Sequence, residues 1–400
     1  MQTNSIDLNK INFLVGDCEL LCRVSDIQTL TMFSDKVVDF LAALSSKLLK
    51  ESSNKSLVDV YSYAYWIRKS SLLKTKEKYY GYQDRMGRGM AFHIAPSNVP
   101  VNFAVSMTSS LLAGNITCIK ISNKNYEQVD VICRSINELL DTDYKYMKNY
   151  ICIFRYENDI KITQWLSSKC DIRIIWGGNK TINIIRQVQL PPRSIELVFA
   201  DRYSIAVINS EEYVRKNIDY VKVAKDFYTD TYYSDQNACS SPRMVIWIGK
   251  EKEKAKEIFW DNLDKLVEEE YNMKPIQAID KYNSFCELAM TGEKIELISN
   301  NNTIMRVKIN RLSYEIMKYK NCGGYFFEYD ANELEEILPI LKKDCQTISY
   351  FGIDKEEIKK MVFEYGVRGV DRIVPLGQTM GLEFVWDGYM MIEAMSRVVY

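Results

Sequence analysis

The stretch FHIAPSNVPVNFAVSMTSSLLAGNITCIKIS (Phe92–Ser122) changes character several times over a short span. FHIA is a short apolar run, which suits a buried strand. Pro96 and Pro100 interrupt both helix and strand, so PSNVP reads as a turn. From about Val101 to Ala113 the pattern predicts a helix, and Gly114 stops it, as glycine just past a helix end commonly does. ITCIKI (Ile116–Ile121) is a second strand, with Lys120 near its close. Strand, turn, helix, strand is one βαβ unit, and it sets the reading of its surroundings.

Downstream the alternation continues. NYEQVDVICRSINELL (Asn125–Leu140) predicts a helix, YICIFRY (Tyr150–Tyr156) a strand, and DIKITQWLSS (Asp159–Ser168) a helix. DIRIIW (Asp171–Trp176) predicts a strand, followed by Gly177, Gly178 and the helix NKTINIIRQV. Such a series implies an α/β fold: a mostly parallel, Rossmann-type sheet with helices on its faces and ligands at the carboxyl ends of its strands. Upstream, residues 26–80 read as helical, because Phe33, Val37, Phe40, Leu41, Leu44 and Leu48 recur at helical spacing.

QLPPRS (Gln189–Ser194) is the best linker candidate. It divides the chain into residues 1–192 (N-terminal helices and a cofactor-binding domain), 193–375 (a second, cysteine-bearing α/β domain) and 376–400 (a segment completing the fold or an oligomer contact). In the second part, IELVFADRYSIAVI and RMVIWIG read as strands and EEYVRKNIDYVKVAKDFYTD (Glu211–Asp230) as a helix. The charged run KEKEKAKEIFWDNLDKLVEEEY reads as a solvated amphipathic helix.

Composition narrows the classes. The chain has 400 residues, 47% of them hydrophobic, enough for two domains. Fifty-two basic against fifty-three acidic side chains give no electrostatic case for nucleic acid. Ten cysteines without a CxxC pair, and one histidine, argue against a zinc site or any metal centre. No apolar run approaches the roughly 20 residues of a transmembrane segment, and the polar start is unlike a signal peptide. A cytoplasmic protein is expected.

Several residues are candidates for chemistry. Cys239, in SDQNACSSPR, lies in a turn of small polar residues between a helix and a strand. It is either a nucleophile, reactive as thiolate, or an ordinary partly buried cysteine. His93 is a structural or a catalytic histidine. Asn98 in PSNVP either donates its amide to a developing oxyanion or bonds its own turn. Gly177 and Gly178 open a helix N-terminus where a phosphate can approach, or form a plain tight turn. Lys120 pairs with a cofactor or sits on the surface.

In arrangement, the strand, PSNVP, the helix ending AGN and the strand ending in lysine resemble the aldehyde dehydrogenase superfamily. More closely, FHIAPSNVPVNF, DQNACSSPR, QTISYFGI (Gln346–Ile353) and DRIVPLGQTMGLEFVWDGY (Asp371–Tyr389) resemble the acyl-CoA reductase family of bacterial bioluminescence. The resemblance runs from about Gly89 to the C-terminus. It implies an aldehyde dehydrogenase-like fold and NADPH-dependent reduction of a long-chain acyl-CoA, or a related acyl thioester, to aldehyde through acyl-Cys239. Asn98 falls at the family's oxyanion asparagine. Lys120, Ser122 and Asn123 fall at the cofactor ribose, and Gly177 and Gly178 near the pyrophosphate. The resemblance further implies a homo-oligomer, and family members associate with acyl-transfer and synthetase partner proteins.

Two departures refine this. Oxidising members carry a glutamate base after the linker; in SIELVFADRYS that position is Val198, with Glu196 as the alternative auxiliary base. Losing it protects an acyl-enzyme from water, which favours reduction. Asn123 replaces a glutamate common where NAD is preferred, which leans towards NADPH with NADH as the alternative. The rival functions are an acyltransferase or thioesterase without hydride transfer, an oxidative aldehyde dehydrogenase, and a silent scaffold.

Overall fold

The computed structural model describes residues 6–51, 57–79, 81, 84–298 and 301–400. The chain forms two compact units, Met1–Ala200 with Leu382–Tyr400, and Asp201–Gly381.

The first unit is built on β1 (Asn12–Val15), β3 (Met90–Ile94), β4 (Ile116–Lys120), β5 (Ile151–Arg155), β6 (Ile172–Trp176) and β7 (Ile195–Phe199), with β2 (Arg85–Gly87) outside this sheet. The order is β1-β5-β4-β3-β6-β7. All neighbours are parallel except β1, which runs antiparallel to β5. The expected parallel series is therefore present. β3 is buried along its whole length, as a central strand covered on both faces must be, and hence reads as an unbroken apolar run. Alternate residues serve opposite cores: Ala91, Ile119 and Ile174 face the N-terminal helices, while Phe92, Ile94 and Cys118 face the helices Ile160–Lys169 and Asn179–Arg186.

Upstream, the expected helical region contains helices Asp35–Lys50, Val58–Trp66 and Lys69–Lys78; its residues 52–56 and 80 lie outside the described residues. The stripe from Phe33 to Leu48 is buried.

The helix Asn102–Leu112 ends as the sequence implied. Gly114 has φ +94°, its N–H donates to Leu111 O at 2.9 Å, and Asn115 N–H donates to Ser110 O at 3.1 Å. That pair of bonds is a Schellman cap. A Cβ at Gly114 would lie 2.0 Å from the Leu30 carbonyl oxygen, so space as well as backbone angle demands glycine. Buried Asn115 accepts the Arg88 N–H at 2.7 Å and donates to Met395 O at 3.0 Å. The Ala-Gly-Asn triplet therefore ties the C-terminal segment to the first unit.

The QLPPRS stretch leads into β7, which joins the first sheet, and the change of unit comes at Asp201. The second unit holds β8 (Tyr203–Asn209), β9 (Pro242–Ile248), β10 (Ile295–Leu297), β11 (Met305–Ile309), β12 (Tyr325–Asp330), β13 (Cys345–Phe351) and β14 (Arg372–Pro375), ordered β10-β11-β12-β9-β8-β13-β14. Only β10 is antiparallel to its neighbour. The charged-run helix, Lys252–Glu270, buries Phe259, Trp260 and Leu263 against Trp247 of β9. The single helix expected over Glu211–Asp230 is two, Ser210–Tyr213 and Tyr220–Asp230. Asn217 between them has φ +85°, and Asp219 starts the second by accepting the Lys222 N–H at 2.9 Å.

Candidate active site

In the first unit, β3 is the strand at which chain travel reverses: β4 and β5 follow on one side, β6 and β7 on the other. Ligands of open parallel sheets bind outside the carboxyl ends of the strands at such a switch. Three sequence-predicted elements share that edge. PSNVP leaves β3 with Asn98 exposed, Lys120 ends β4, and Gly177–Gly178 end β6.

These residues fit a dinucleotide. Gly178 caps the helix Asn179–Arg186, and nothing lies within 4 Å of where its Cβ would be. Neither glycine has a positive φ, and the Gly177 N–H donates to Phe199 O at 3.1 Å, so what the pair leaves is room at the start of the helix rather than a backbone bend. The half-buried Lys120 ammonium sits 4.9 Å from the Tyr156 ring centroid. Among the described residues no carboxylate pairs with it, and burial lowers its pKa. Ser122 Oγ accepts the Lys124 N–H at 3.2 Å, and Asn123 is exposed beside it.

Two auxiliary candidates are placed otherwise. His93 is fully buried in β3, its Nδ1 2.7 Å from Ser106 Oγ, which also accepts from Trp176 Nε1 at 3.1 Å. Burial lowers its pKa to about 3, so the ring is neutral near pH 7. Glu196 accepts from Arg173 Nε at 2.8 Å and from Arg186 Nε at 2.7 Å, one guanidinium on each oxygen. Its carboxylate is engaged in the sheet.

In the second unit, half-buried Cys239 lies in the loop between helix Tyr220–Asp230 and β9, at the amino edge of the sheet. The loop is clamped. Asp235 and Gln236 both have left-handed φ, +52° and +57°. Fully buried Gln236 donates to Pro242 O (2.8 Å) and Tyr325 O (3.1 Å), and its oxygen accepts from Gly324 N (3.0 Å) and Tyr325 N (3.1 Å). With its amide satisfied on both ends, the strain of two left-handed residues is held by the ladder of β12 and β9. Ser204 Oγ donates to Cys239 O at 2.8 Å, and Gln346 Nε2 lies 3.1 Å from the sulfur as donor. Gln346 was given no role from sequence, although it opens the QTISYFGI motif.

The PLGQTMG part of the last motif packs on the same loop. Asp230, fully buried, accepts the N–H groups of Gly377 (2.7 Å) and Thr379 (2.9 Å). Arg372 binds the other side of that turn, donating to Thr379 O (2.7 Å) and Gly381 O (2.9 Å). Met380 Sδ thereby lies 3.8 Å from Ser240 Oγ. Burial outweighs the two N–H bonds and raises the Asp230 pKa to about 6, with Asp226 adding to the rise. A folded pKa above the unfolded 3.8 means stability present below about pH 4 and lost as pH rises through about 6. In urea unfolding, wild type is expected to gain about 2 kcal/mol relative to Asp230→Asn as the pH falls from 7 to 4. A pH-independent difference would refute this.

Residues 17–398 match the acyl-CoA reductase (LuxC) family. The chain belongs to that family. Among its relatives, the long-chain acyl-protein thioester reductase of Photorhabdus luminescens is 22% identical over 296 residues, covering 72% of this chain and 58% of that protein. The reductase of the same name from Aliivibrio fischeri is 22% identical over 304 residues, covering 74% and 60%. The matches thus span under two thirds of these relatives' length. Among solved structures, glyceraldehyde-3-phosphate dehydrogenase GapN from Methanocaldococcus jannaschii, complexed with NADP, superposes with TM-score 0.65 at 12% identity, covering 96% of this chain and 92% of that one. An indole-3-acetaldehyde dehydrogenase complexed with NAD+ gives TM-score 0.66 at 10% identity, covering 96% and 86%. The fold is that of the aldehyde dehydrogenases, as the motifs implied. Among the described residues of this LuxC-family chain, no helix is long and apolar enough to cross a membrane, and no group of three or more His, Cys, Asp or Glu residues could hold a metal ion.

Proposed function

We propose that the protein reduces acyl thioesters to aldehydes through an acyl-cysteine on Cys239, using NADPH. The observation that carries this reading is a half-buried thiol on a clamped loop, with a donor already on its sulfur, in a chain of the acyl-CoA reductase family. The Cys239 thiolate attacks the thioester carbonyl, forming a C–S bond while the bond to the carrier sulfur breaks. Asn98 donates its side-chain amide to the oxygen on which charge develops. A bound nicotinamide supplies hydride to the acyl carbon. Cys239 carries the resulting thiohemiacetal, and its collapse releases aldehyde and returns the thiolate. Lys120, Ser122, Asn123, Gly177 and Gly178 hold the cofactor.

Support for reduction comes from Val198 at the position of the hydrolytic base and from Glu196, whose two oxygens are bound by arginines. Neither side chain offers a base for water. The relatives' name points to acyl groups carried on protein, and the family's description to acyl groups carried on coenzyme A. Cytoplasmic location, a homo-oligomer and contact with an acyl-transfer or synthetase partner belong to the same proposal. The test is an acyl-CoA chain-length series, read as aldehyde formed with NADPH and with NADH. Thioester cleavage without oxidation of either cofactor would instead establish an acyltransferase or thioesterase.

A further inference from the structure

We propose that Gln346 is the positioning residue of Cys239: its side-chain amide holds the sulfur and favours the thiolate, the task a histidine performs in many thiol enzymes. The assignment rests on reading Cys239 as the nucleophile. The chain's single histidine is committed elsewhere, buried against Ser106. Gln346 Nε2 donates to Cys239 Sγ at 3.1 Å from 107 positions away in the chain. Thr347 Oγ1 donates to the Gln346 oxygen at 3.4 Å, which orients the amide with its N–H₂ towards sulfur.

Two irregularities of the sheet converge on this contact. The pairing of β13 with β8 slips between Cys345 and Ile348, and that of β8 with β9 slips between Ser204 and Ile205. Bulges re-aim side chains and recur beside active sites. Here the first releases Gln346 from regular pairing and the second presents Ser204, whose hydroxyl holds the Cys239 carbonyl. One buried cation adds to this. Arg243, 7% exposed, donates to Asn321 O, and its buried guanidinium interacts electrostatically with Cys322, Asp201 and Cys239. A cation in reach and an N–H on the sulfur both favour the ionised form. The carboxylate in that group, Asp201, is paired with Lys320 at 3.2 Å.

The experiment measures the rate of iodoacetamide alkylation at Cys239 against pH by peptide mass spectrometry, in wild type, Gln346→Leu and the isosteric Gln346→Glu. Loss of one hydrogen bond to a charged sulfur is expected to raise the midpoint in Gln346→Leu by about one pH unit, a roughly tenfold drop in thiolate near neutrality. Gln346→Glu raises it further, because a carboxylate faces the thiolate. Thermal melts report folding; should the leucine variant melt early, the glutamate variant decides. Midpoints unchanged from wild type overturn the assignment. Acylation of wild-type Cys239 by acyl-CoA is scored separately, so a shifted midpoint without acylation rejects the functional reading and leaves Gln346 in its role.

Discussion

Cys239→Ala is expected to abolish acyl-enzyme formation and to lower aldehyde production by about 10⁴-fold or more, since in the proposed reaction this residue is the covalent carrier and nothing replaces it. The other nine cysteines explain why the effect should be that large. Cys118, Cys133, Cys152, Cys170 and Cys345 are buried, and burial pushes every one of these thiols up, those of Cys133, Cys170 and Cys345 to about 12. They stay protonated and inaccessible near neutral pH. Cys322 is also raised, mainly by burial, with Arg243 and Lys281 opposing. Cys18, Cys22 and Cys286 are exposed, so they serve as internal controls for nonspecific labelling. Radiolabelled acyl-CoA should leave label in the Cys239 peptide of wild type and none in that peptide's counterpart from the variant. Label retained elsewhere at wild-type stoichiometry, with aldehyde still formed, would place the nucleophile at another residue.

The parts of the site visible in the sequence are those written locally. The β3–helix–β4 unit announces itself through an apolar run, two prolines and a C-terminal glycine, each of which acts on its own few residues. Its ligand edge follows from topology alone, because parallel strands deliver all their carboxyl ends to one side. The interior of the cysteine loop is a different matter. Gln346 reaches Cys239 across 107 positions, and Gln236 reaches Tyr325 across 89. No periodicity records such contacts. Asp230 closes the stretch expected to be helical, and nothing local marks it as the fully buried acid that holds the turn after β14. The break at Asn217 was missed for a related reason: Asp219 is an N-cap only if the chain before it leaves the helix, and the charge pattern runs through without interruption. The one available clue was that Gln346 and Gly377–Thr379 lie in the family motifs. A motif residue with no assigned chemistry is the place to look for a supporting contact.

Asn98→Ala is expected to lower kcat/KM for the acyl thioester by about 10²–10³-fold, mostly through kcat, with aldehyde formation in single turnovers falling in step. An amide aimed at the charge of the tetrahedral intermediate acts more strongly on the transition state than on the bound thioester, so ground-state affinity should change little. Asn98 is exposed in the turn after β3, and an exposed turn residue contributes little to packing, so the melting temperature should move by no more than a few degrees. The same substitution should leave the pH midpoint of Cys239 alkylation where it is, because ionisation of the free thiol precedes any oxyanion. That separates Asn98 from Gln346: one variant slows acylation with a normal thiolate, the other lowers the thiolate fraction itself. A variant with wild-type kcat and a lowered melting temperature would make Asn98 a turn asparagine bonded to its own backbone, and the oxyanion donor would have to be found elsewhere.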